Sequence, residues 1–203
     1  MDKNIWQGTY LPVDDKERAR RRAALAALQS YQDAAGIQDT EVLYHRLRKT
    51  QVTDVLGYVL FNNDKHGLDA QKQVGNQTRY LSVHNVTLSD NMAMTCNDMS
   101  PEKCAEFAKP DIHLAVGIWV SAGDLFAIVT GHHPGVAREM LRQTERHSKA
   151  FRNVVKVSVV DLIRTYGFTV YAHARAPRTV AVTLQECLAY PAVRVLSLDE
   201  AAA

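Results

Sequence analysis

The chain has 203 residues, of which 46 % are hydrophobic and 23 % are charged, with a formal net charge of +2. This composition is typical of a globular protein with one sizeable core, and it excludes a disordered chain. No apolar stretch reaches the roughly 18 residues that span a bilayer, and the first residues lack the apolar region of a signal peptide. The sequence therefore predicts a cytoplasmic protein without a membrane partner, and its charge alone does not indicate nucleic acid.

The first third of the chain predicts short elements around one long loop. Alanine, leucine and tyrosine side chains give residues 14–35 an apolar side, which predicts a helix that stops at Gly36. Residues 41–47 predict a short strand, and residues 52–61 a helix that breaks near the Asn-Asn-Asp that follows. Residues 66–78 are polar and contain glycines, which indicates a loop long enough to be functional.

The rest of the chain has more regular hydrophobic patterns. Alternating apolar and polar residues, with turn residues between two of the runs, predict strands at residues 79–88, 112–120, 125–131, 153–160, 168–174, 179–184 and 193–198. Amphipathic or capped segments predict helices at residues 100–110, 135–151 and 161–167. We therefore expect a single α+β domain over residues 1–203, with a helical extension at 1–40 and a core at 41–203 that the family resemblance described below implies to be catalytic-like.

Several polar side chains in the predicted strands need a partner. His45 ends the first of these strands, and burying an imidazole costs free energy unless something pairs with it. Tyr80 lies in the next strand, with Arg79 and Ser82 beside it. Glu186 stands between leucines in a late strand, where a carboxylate is unfavourable unless it is paired or functional.

The end of the predicted hairpin supplies two more candidates. Its second strand closes in Thr-Gly-His-His-Pro, which places His132 and His133 directly before a helix. The choice between these two histidines stays open.

Four motifs occur in order along the chain: "LYH", "TRYLSVHN", "TGHHP" and "QECL". In order and in strand context they resemble motifs of the His-type ADP-ribosyltransferase superfamily, and the last two resemble its DarT-type branch. The resemblance extends from Glu41 to the carboxyl terminus. It implies an ADP-ribosyltransferase-like split β-sheet core, preceded by the N-terminal helix.

The activity that the resemblance implies is mono-ADP-ribosyl transfer, with NAD as the substrate and no metal. Glu186 and His133 would be the catalytic residues. The NAD-binding residues would be His45, Arg79, Tyr80 and Ser82. Cleavage of the nicotinamide–ribose bond gives the ribose oxocarbenium character, which a nearby carboxylate stabilises.

The acceptor that the resemblance implies is a nucleic-acid base or a protein side chain. Residues Arg18–Arg22 of the basic run Lys16–Arg22 could supply phosphate contacts to nucleic acid. A solvated helix face or a protein interface explains the same run. Such an enzyme would act as a toxin, a defence factor or a phage counter-defence factor.

Two alternatives stay open. Residues 112–174 resemble the GNAT-type N-acetyltransferases, in which a hairpin leads into a pyrophosphate-binding loop and a helix. "HHPGVA" would be that loop and would bind acetyl-CoA through helix amides, and "TYGF" would be a later motif of the family. The other alternative is a non-catalytic interaction or inhibitor protein on either scaffold. The histidines lack metal-ligand spacing, so we expect no metal site.

Overall fold

A computed structural model describes the chain at residues 15–36, 40–65, 67–88, 92–119, 125–146, 153–172 and 195–197. The chain divides into two compact units, Met1–Tyr44 and His45–Ala203. The first contains helix α1 (Asp15–Ala35) and the start of helix α2 (Thr40–Leu56). Helix α1 confirms the helix expected at residues 14–35. None of the described helices combines the length and the hydropathy needed to cross a bilayer.

The second unit combines helices and strands, which confirms the predicted α+β class. Its described strands are β1 (Val59–Lys65), β2 (Leu68–Val74), β3 (Gln77–Thr87), β4 (Ala93–Cys96), β5 (Ile112–Trp119), β6 (Leu125–Gly131), β7 (Val155–Ser158), β8 (Thr169–Ala172) and β9 (Val195–Ser197). Its helices after α2 are α3 (Pro101–Glu106), α4 (Pro134–Arg146) and α5 (Val159–Arg164).

The described strands form one large mixed sheet and one small sheet. The large sheet has seven strands in the order β1-β2-β3-β5-β6-β8-β9, and β4 pairs with β7 in the small antiparallel sheet. In the large sheet, β3–β5 and β8–β9 are parallel pairs and the other neighbours are antiparallel. The parallel pair β3–β5 needs a crossover, which β4 and α3 provide.

Successive residues of a strand point to opposite sides, so the large sheet has two faces, and each face packs against different helices. The core on one face includes Leu114, Val116, Ile118, Val129, Val136, Met140, Leu162 and Ile163, which come from the sheet, α4 and α5. The core on the other face, here called the α2 face, consists of Val52, Leu56, Tyr58, Ala70, Leu81, Val83, Ala115, Trp119 and Ile128.

Helix α2 approaches the sheet closely at a glycine. A methyl group at Gly117 of β5 would lie 2.8 Å from Cγ2 of Val52, so only glycine lets the helix lie this near the strand. The helix ends in a Schellman motif: Gly57 has a φ of 68°, and the Tyr58 N–H donates to the Thr53 carbonyl over 2.9 Å. This ending turns the chain directly into β1.

The strand predicted at residues 41–47 is wrong, because these residues lie in α2. The helix predicted at 52–61 is the second half of α2 followed by the start of β1. Glutamate, leucine, arginine and lysine in this segment favour a helix, and Gly57 marks its end. The segment is therefore a single helix that ends at a glycine. The tripeptide Leu-Tyr-His that ends at His45 resembles a strand, but it is too short to distinguish a strand from a helix.

The loop predicted at residues 66–78 is also wrong, because it holds β2 and the start of β3. The two strands are joined by a two-residue turn, Gly75–Asn76, between the partners Val74 and Gln77. Gly75 has a φ of 60°, which the first central position of a type II′ turn requires. Polar residues on the α2 face of this hairpin hid the alternating pattern.

The predictions for the second half agree better with the structure. The helix at 100–110, the hairpin β5–β6, the helix α4 and the succession β7, α5, β8 are confirmed. Most of these elements are shorter than expected, β6 has the predicted bounds, and α5 begins two residues earlier than predicted. Strand β9 lies within the segment predicted at 193–198. Strand β4 was not predicted. The strand expected at 179–184 lies outside the described residues.

A buried carboxylate ties α2 to the sheet near the start of β2. Asp69 has only 5 % of its surface exposed and pairs with Lys49 of α2 at 2.5 Å. Its second carboxylate oxygen accepts the Val83 N–H over 2.6 Å. Two charge-assisted hydrogen bonds thus satisfy a group whose burial would otherwise be strongly unfavourable.

Replacing Asp69 by alanine is expected to lower the free energy of unfolding by about 3 kcal/mol, because it leaves a buried N–H and a partly buried ammonium without their acceptor. Equilibrium urea unfolding measures the change. The control is Glu106→Gln, which removes an ion pair to Lys109 that is about half exposed on both sides and should change stability by less than about 0.5 kcal/mol. Equal effects of the two substitutions would contradict this role of Asp69.

Candidate functional site

Two cationic side chains lie next to each other on the α2 face of the sheet. Lys72 of β2 and Arg79 of β3 are direct partners in the antiparallel register. They lie two residues along from the partners Ala70 and Leu81, which belong to the α2-face core, so all four point to the same side. Like charges directly opposite each other destabilise a β-pair. This pairing therefore needs an explanation.

Both cations are partly buried, and neither forms an ion pair with a carboxylate in the described part of the chain. The Lys72 ammonium donates to the Leu56 carbonyl over 3.0 Å and lies 4.5 Å from the centre of the Tyr58 ring. Burial, and then the charge of Arg79, lower the pKa of Lys72. The positive charges are held by dipoles and an aromatic face, not by an anion.

Tyr58 connects the end of α2 to Arg79. Its side chain is 8 % exposed, and burial raises the pKa of the Tyr58 hydroxyl, although the charge of Arg79 and a hydrogen bond from Arg79 lower it. The buried phenol thus stays protonated and has a hydrogen to donate. The guanidinium has five N–H donors, so one acceptor leaves most of them available to a further ligand.

Two histidines lie one row farther along the same face. His113 of β5 is the register partner of Leu81, and its ring centre lies 6.0 Å from that of His132, just after β6. Burial lowers the pKa of His113 to about 4, and the charges of Arg79, His132 and Lys72 act in the same direction. His132 donates from Nδ1 to the Ile112 carbonyl over 2.9 Å when that nitrogen carries the proton. We call Lys72, Arg79, His113 and His132 the cationic cluster.

A cleft adjoins the cationic cluster at the turn end of the β2–β3 hairpin. It has a volume of about 360 Å³ and is lined by Val74, Gln77, Thr78, Arg79, Pro110 and Asp111. Arg79 belongs both to the cluster and to the cleft. The volume of the cleft lies within the range of small-ligand pockets. The cluster supplies N–H donors and positive potential, which suit an anion, and the cleft offers space beside it.

Three of the residues predicted to bind NAD, Arg79, Tyr80 and Ser82, lie in β3. Of these three, only Arg79 belongs to the cationic cluster. Tyr80 and Ser82 follow it at odd spacing in β3 and point to the opposite side of the sheet. Ser82 is buried, and its hydroxyl lies 3.3 Å from Nε2 of His84. The His84 Nδ1 contacts the Thr95 carbonyl at 3.2 Å, and burial lowers the pKa of His84 to about 4. This contact holds β4 beside β3.

The two histidines after β6, His132 and His133, make different contacts. His132 joins the cluster, whereas His133 caps α4: its Nδ1 accepts the Gly135 N–H over 3.0 Å. The His133 ring packs 5.3 Å from that of Tyr166. A methyl group at Gly135 would lie 2.8 Å from Nδ1 of His133, so the glycine is needed for this packing. The amide expected to bind a pyrophosphate is thus already bonded.

The other two predicted residues lie apart from the cluster or outside the described chain. His45 is exposed on α2, and about 16 Å of helix axis separate it from Leu56, whose carbonyl contacts Lys72. Glu186 lies outside the described residues. The structure thus brings Arg79 together with His132, and it does not bring Tyr80, Ser82 or His45 to that place.

Sequence reasoning missed Tyr58, Lys72 and His113. Lys72 and Tyr58 were hidden because their segments were assigned to a loop and to the interior of a helix. The available signal was a pair of cations equidistant from the Gly75–Asn76 turn, since positions mirrored about a two-residue turn face each other. His113 carried a weaker signal, an imidazole at the start of a nearly uninterrupted apolar strand.

Among the described residues, no three side chains of histidine, cysteine, aspartate or glutamate lie close enough together to bind a metal ion. The positive charges and N–H donors of the cationic cluster suit an anion instead. Comparison of the sequence with protein-family models gives no match, and comparison with curated proteins gives none either.

Proposed function

We propose that the protein binds a phosphate-bearing ligand at the cationic cluster. The observation that carries this proposal is the pairing of Lys72 with Arg79, two partly buried cations on facing positions that share no carboxylate among the described residues. An anion between them would turn their mutual repulsion into attraction to a common partner. Because part of the water is already excluded, each contact is stronger than at an open surface.

The donor set favours phosphate over a carboxylate. Arg79 offers a planar fork for two oxygens, and Lys72 offers a point charge for a third. The Tyr58 hydroxyl and the imidazoles of His113 and His132 can add further hydrogen bonds. A tetrahedral dianion accepts from several directions at once, whereas a planar carboxylate is satisfied by the fork alone.

ADP-ribosyl transfer from NAD is the narrower proposal within this one. The pyrophosphate of NAD is a suitable anion for the cluster, and the sequence resemblance supplies Glu186 as the carboxylate for the ribose. The acceptor would be a nucleic-acid base or a protein side chain. Arg79 supports this proposal from the described geometry, and Glu186 supports it from the sequence alone.

Acetyl-CoA is a competing ligand because it also carries phosphates. The order of elements proposed for an acetyltransferase, a hairpin, a loop, a helix, a strand and a short helix, is present from β5 to α5. Against it, the Gly135 amide is used by His133, and β7 pairs with β4 in the small sheet. A ligand that binds the cluster without reacting would instead support an interaction protein.

Substitution of either cation is expected to weaken binding of pyrophosphate and NAD by at least about tenfold, because each removes charge-assisted hydrogen bonds. Isothermal titration calorimetry on wild type, Arg79→Gln and Lys72→Gln measures the affinities. Lys109→Gln removes an exposed lysine and serves as the matched control, with no expected change. Acetyl-CoA is titrated in parallel. Unchanged affinity in both variants would refute the proposed site.

Affinity for sulfate is expected to rise as the pH falls from about 7 towards about 4, because a bound anion favours the protonated form of His113, whose pKa in the free protein is about 4. In the free protein, burial and the charges of Arg79, His132 and Lys72 hold the pKa of His113 low, near 4, while Asp111 raises it slightly. Sulfate does not titrate in this range, so the slope reports the protein. His113→Asn should flatten the slope, and a slope that persists unchanged would exclude His113.

Glu186→Gln is expected to abolish label transfer from NAD to DNA, RNA or protein while leaving NAD affinity nearly unchanged, since the substitution removes charge but keeps shape. The assay incubates labelled NAD with each acceptor and follows both nicotinamide release and transferred label. Transfer that survives the substitution would remove Glu186 from the mechanism. Binding without transfer in the wild type would refute the transferase and keep the ligand site.

A further inference from the structure

The carboxylate of Asp111 lies beside the cationic cluster, in a position that the sheet register defines. The Tyr80 N–H donates to the Asp111 carbonyl over 2.8 Å, and Tyr80 is the partner of Ile112 in the parallel pair. Asp111 therefore lies next to Arg79, because each residue directly precedes a member of the first β3–β5 pair, Tyr80 and Ile112. Lys72, Arg79 and Asp111 follow each other across β2, β3 and the start of β5, and both Arg79 and Asp111 line the cleft.

Asp111 is half-buried, and its carboxylate makes no hydrogen bond or ion pair with any residue of the described ranges. Arg79 is its neighbour across the strands, and no ion pair joins the two side chains. An ionised carboxylate in such a place has acceptor capacity that only solvent or a ligand can use. Asp111 is thus a second binding group, of opposite sign to the cluster.

A carboxylate next to an anion site selects among anions. It repels a bare phosphate, because the like charges lie close together in a partly buried place. It attracts a phosphate whose attached group carries hydroxyl donors, since ionised aspartate is purely an acceptor. The combination of signs therefore disfavours inorganic phosphate and favours a ligand with hydroxyls near its phosphate.

The lining of the cleft fits the same kind of ligand. Val74 and Pro110 give it apolar surface, and Gln77 and Asp111 give it polar groups. A sugar has both kinds of surface, C–H groups on its ring faces and hydroxyls at its edge. The volume of about 360 Å³ far exceeds the share of one water molecule, about 30 Å³, and so has room for a sugar ring beside the phosphate.

We propose that the ligand of the cationic cluster is a phosphorylated sugar, with its phosphate on Lys72 and Arg79 and its hydroxyl groups donating to Asp111. The inference rests on the proposed anion-binding function and specifies its ligand class. No covalent step is involved. Asp111 acts as the specificity residue, because it raises affinity for a polyhydroxyl phosphate and lowers affinity for a simple one.

The test compares ribose 5-phosphate with methyl phosphate, which has the same phosphate group and no hydroxyl. Calorimetric titration of the full chain should give wild-type affinity for ribose 5-phosphate at least about tenfold above that for methyl phosphate. Asp111→Ala should weaken ribose 5-phosphate by about tenfold and leave methyl phosphate unchanged or bound more tightly. A general loss of structure would weaken the binding of both phosphates alike. Weaker binding of ribose 5-phosphate alone therefore indicates a specific role of Asp111.

Asp111→Asn keeps the size of the side chain and one acceptor oxygen, so it should fall between wild type and Asp111→Ala for ribose 5-phosphate. Thermal unfolding of each variant checks that it is folded. Equal affinities for the two phosphates in the wild type, or equal losses in Asp111→Ala, would overturn this inference and leave the anion site standing. Failure of both phosphates to bind the wild type would overturn the anion site itself.

Discussion

The sharp end of α2 is the constraint on which the candidate site depends. The left-handed Gly57 stops the helix after Leu56, which leaves the Leu56 carbonyl without a helical partner and directs it to the Lys72 ammonium. The same turn places the Tyr58 ring beneath that ammonium and its hydroxyl beside Arg79. Had the helix continued one more turn, the carbonyl would be used within it and the cations would lack their neutral support.

The site is therefore built from uncharged groups that support two charges without neutralising them. Close packing of α2 at Gly117 and the pairing of Lys49 with Asp69 fix the helix against the sheet at other points. An acidic residue in place of Tyr58 would satisfy the cations and close the site to anions. Retaining repulsion between neighbours is a stability cost of the kind found at binding sites.

How far the sequence predicted the fold depends on where hydrophobic patterns were intact. The hairpin β5–β6 and the helix α4 were predicted because one is almost wholly apolar and the other amphipathic. The β2–β3 hairpin was missed because Lys72 and Arg79 stand where apolar residues would alternate. The pattern failed where the candidate site lies, since a face that binds an anion cannot also be a hydrophobic face.

The candidate site was predicted only in part, for a related reason. The sequence indicates Arg79 through its place beside Tyr80, and it does not separate His132 from His133. The proximity of Arg79 and His132 to His113 follows from the strand order, in which β3 pairs with β5 and not with β4. A crossover connection of that kind has no local signal in the sequence, because it depends on which distant strand completes the sheet.

The parallel pairing of β3 with β5 has a further consequence for how the protein forms. The groups that meet at the site lie on both sides of the crossover, at residues 72–79 and 111–132, so neither the hairpin nor the later strands alone hold a complete set. Parallel pairings over such sequence separations are slow steps in folding. A ligand that contacts groups on both segments needs this pairing to be in place, and it would stabilise the folded sheet relative to the unfolded chain.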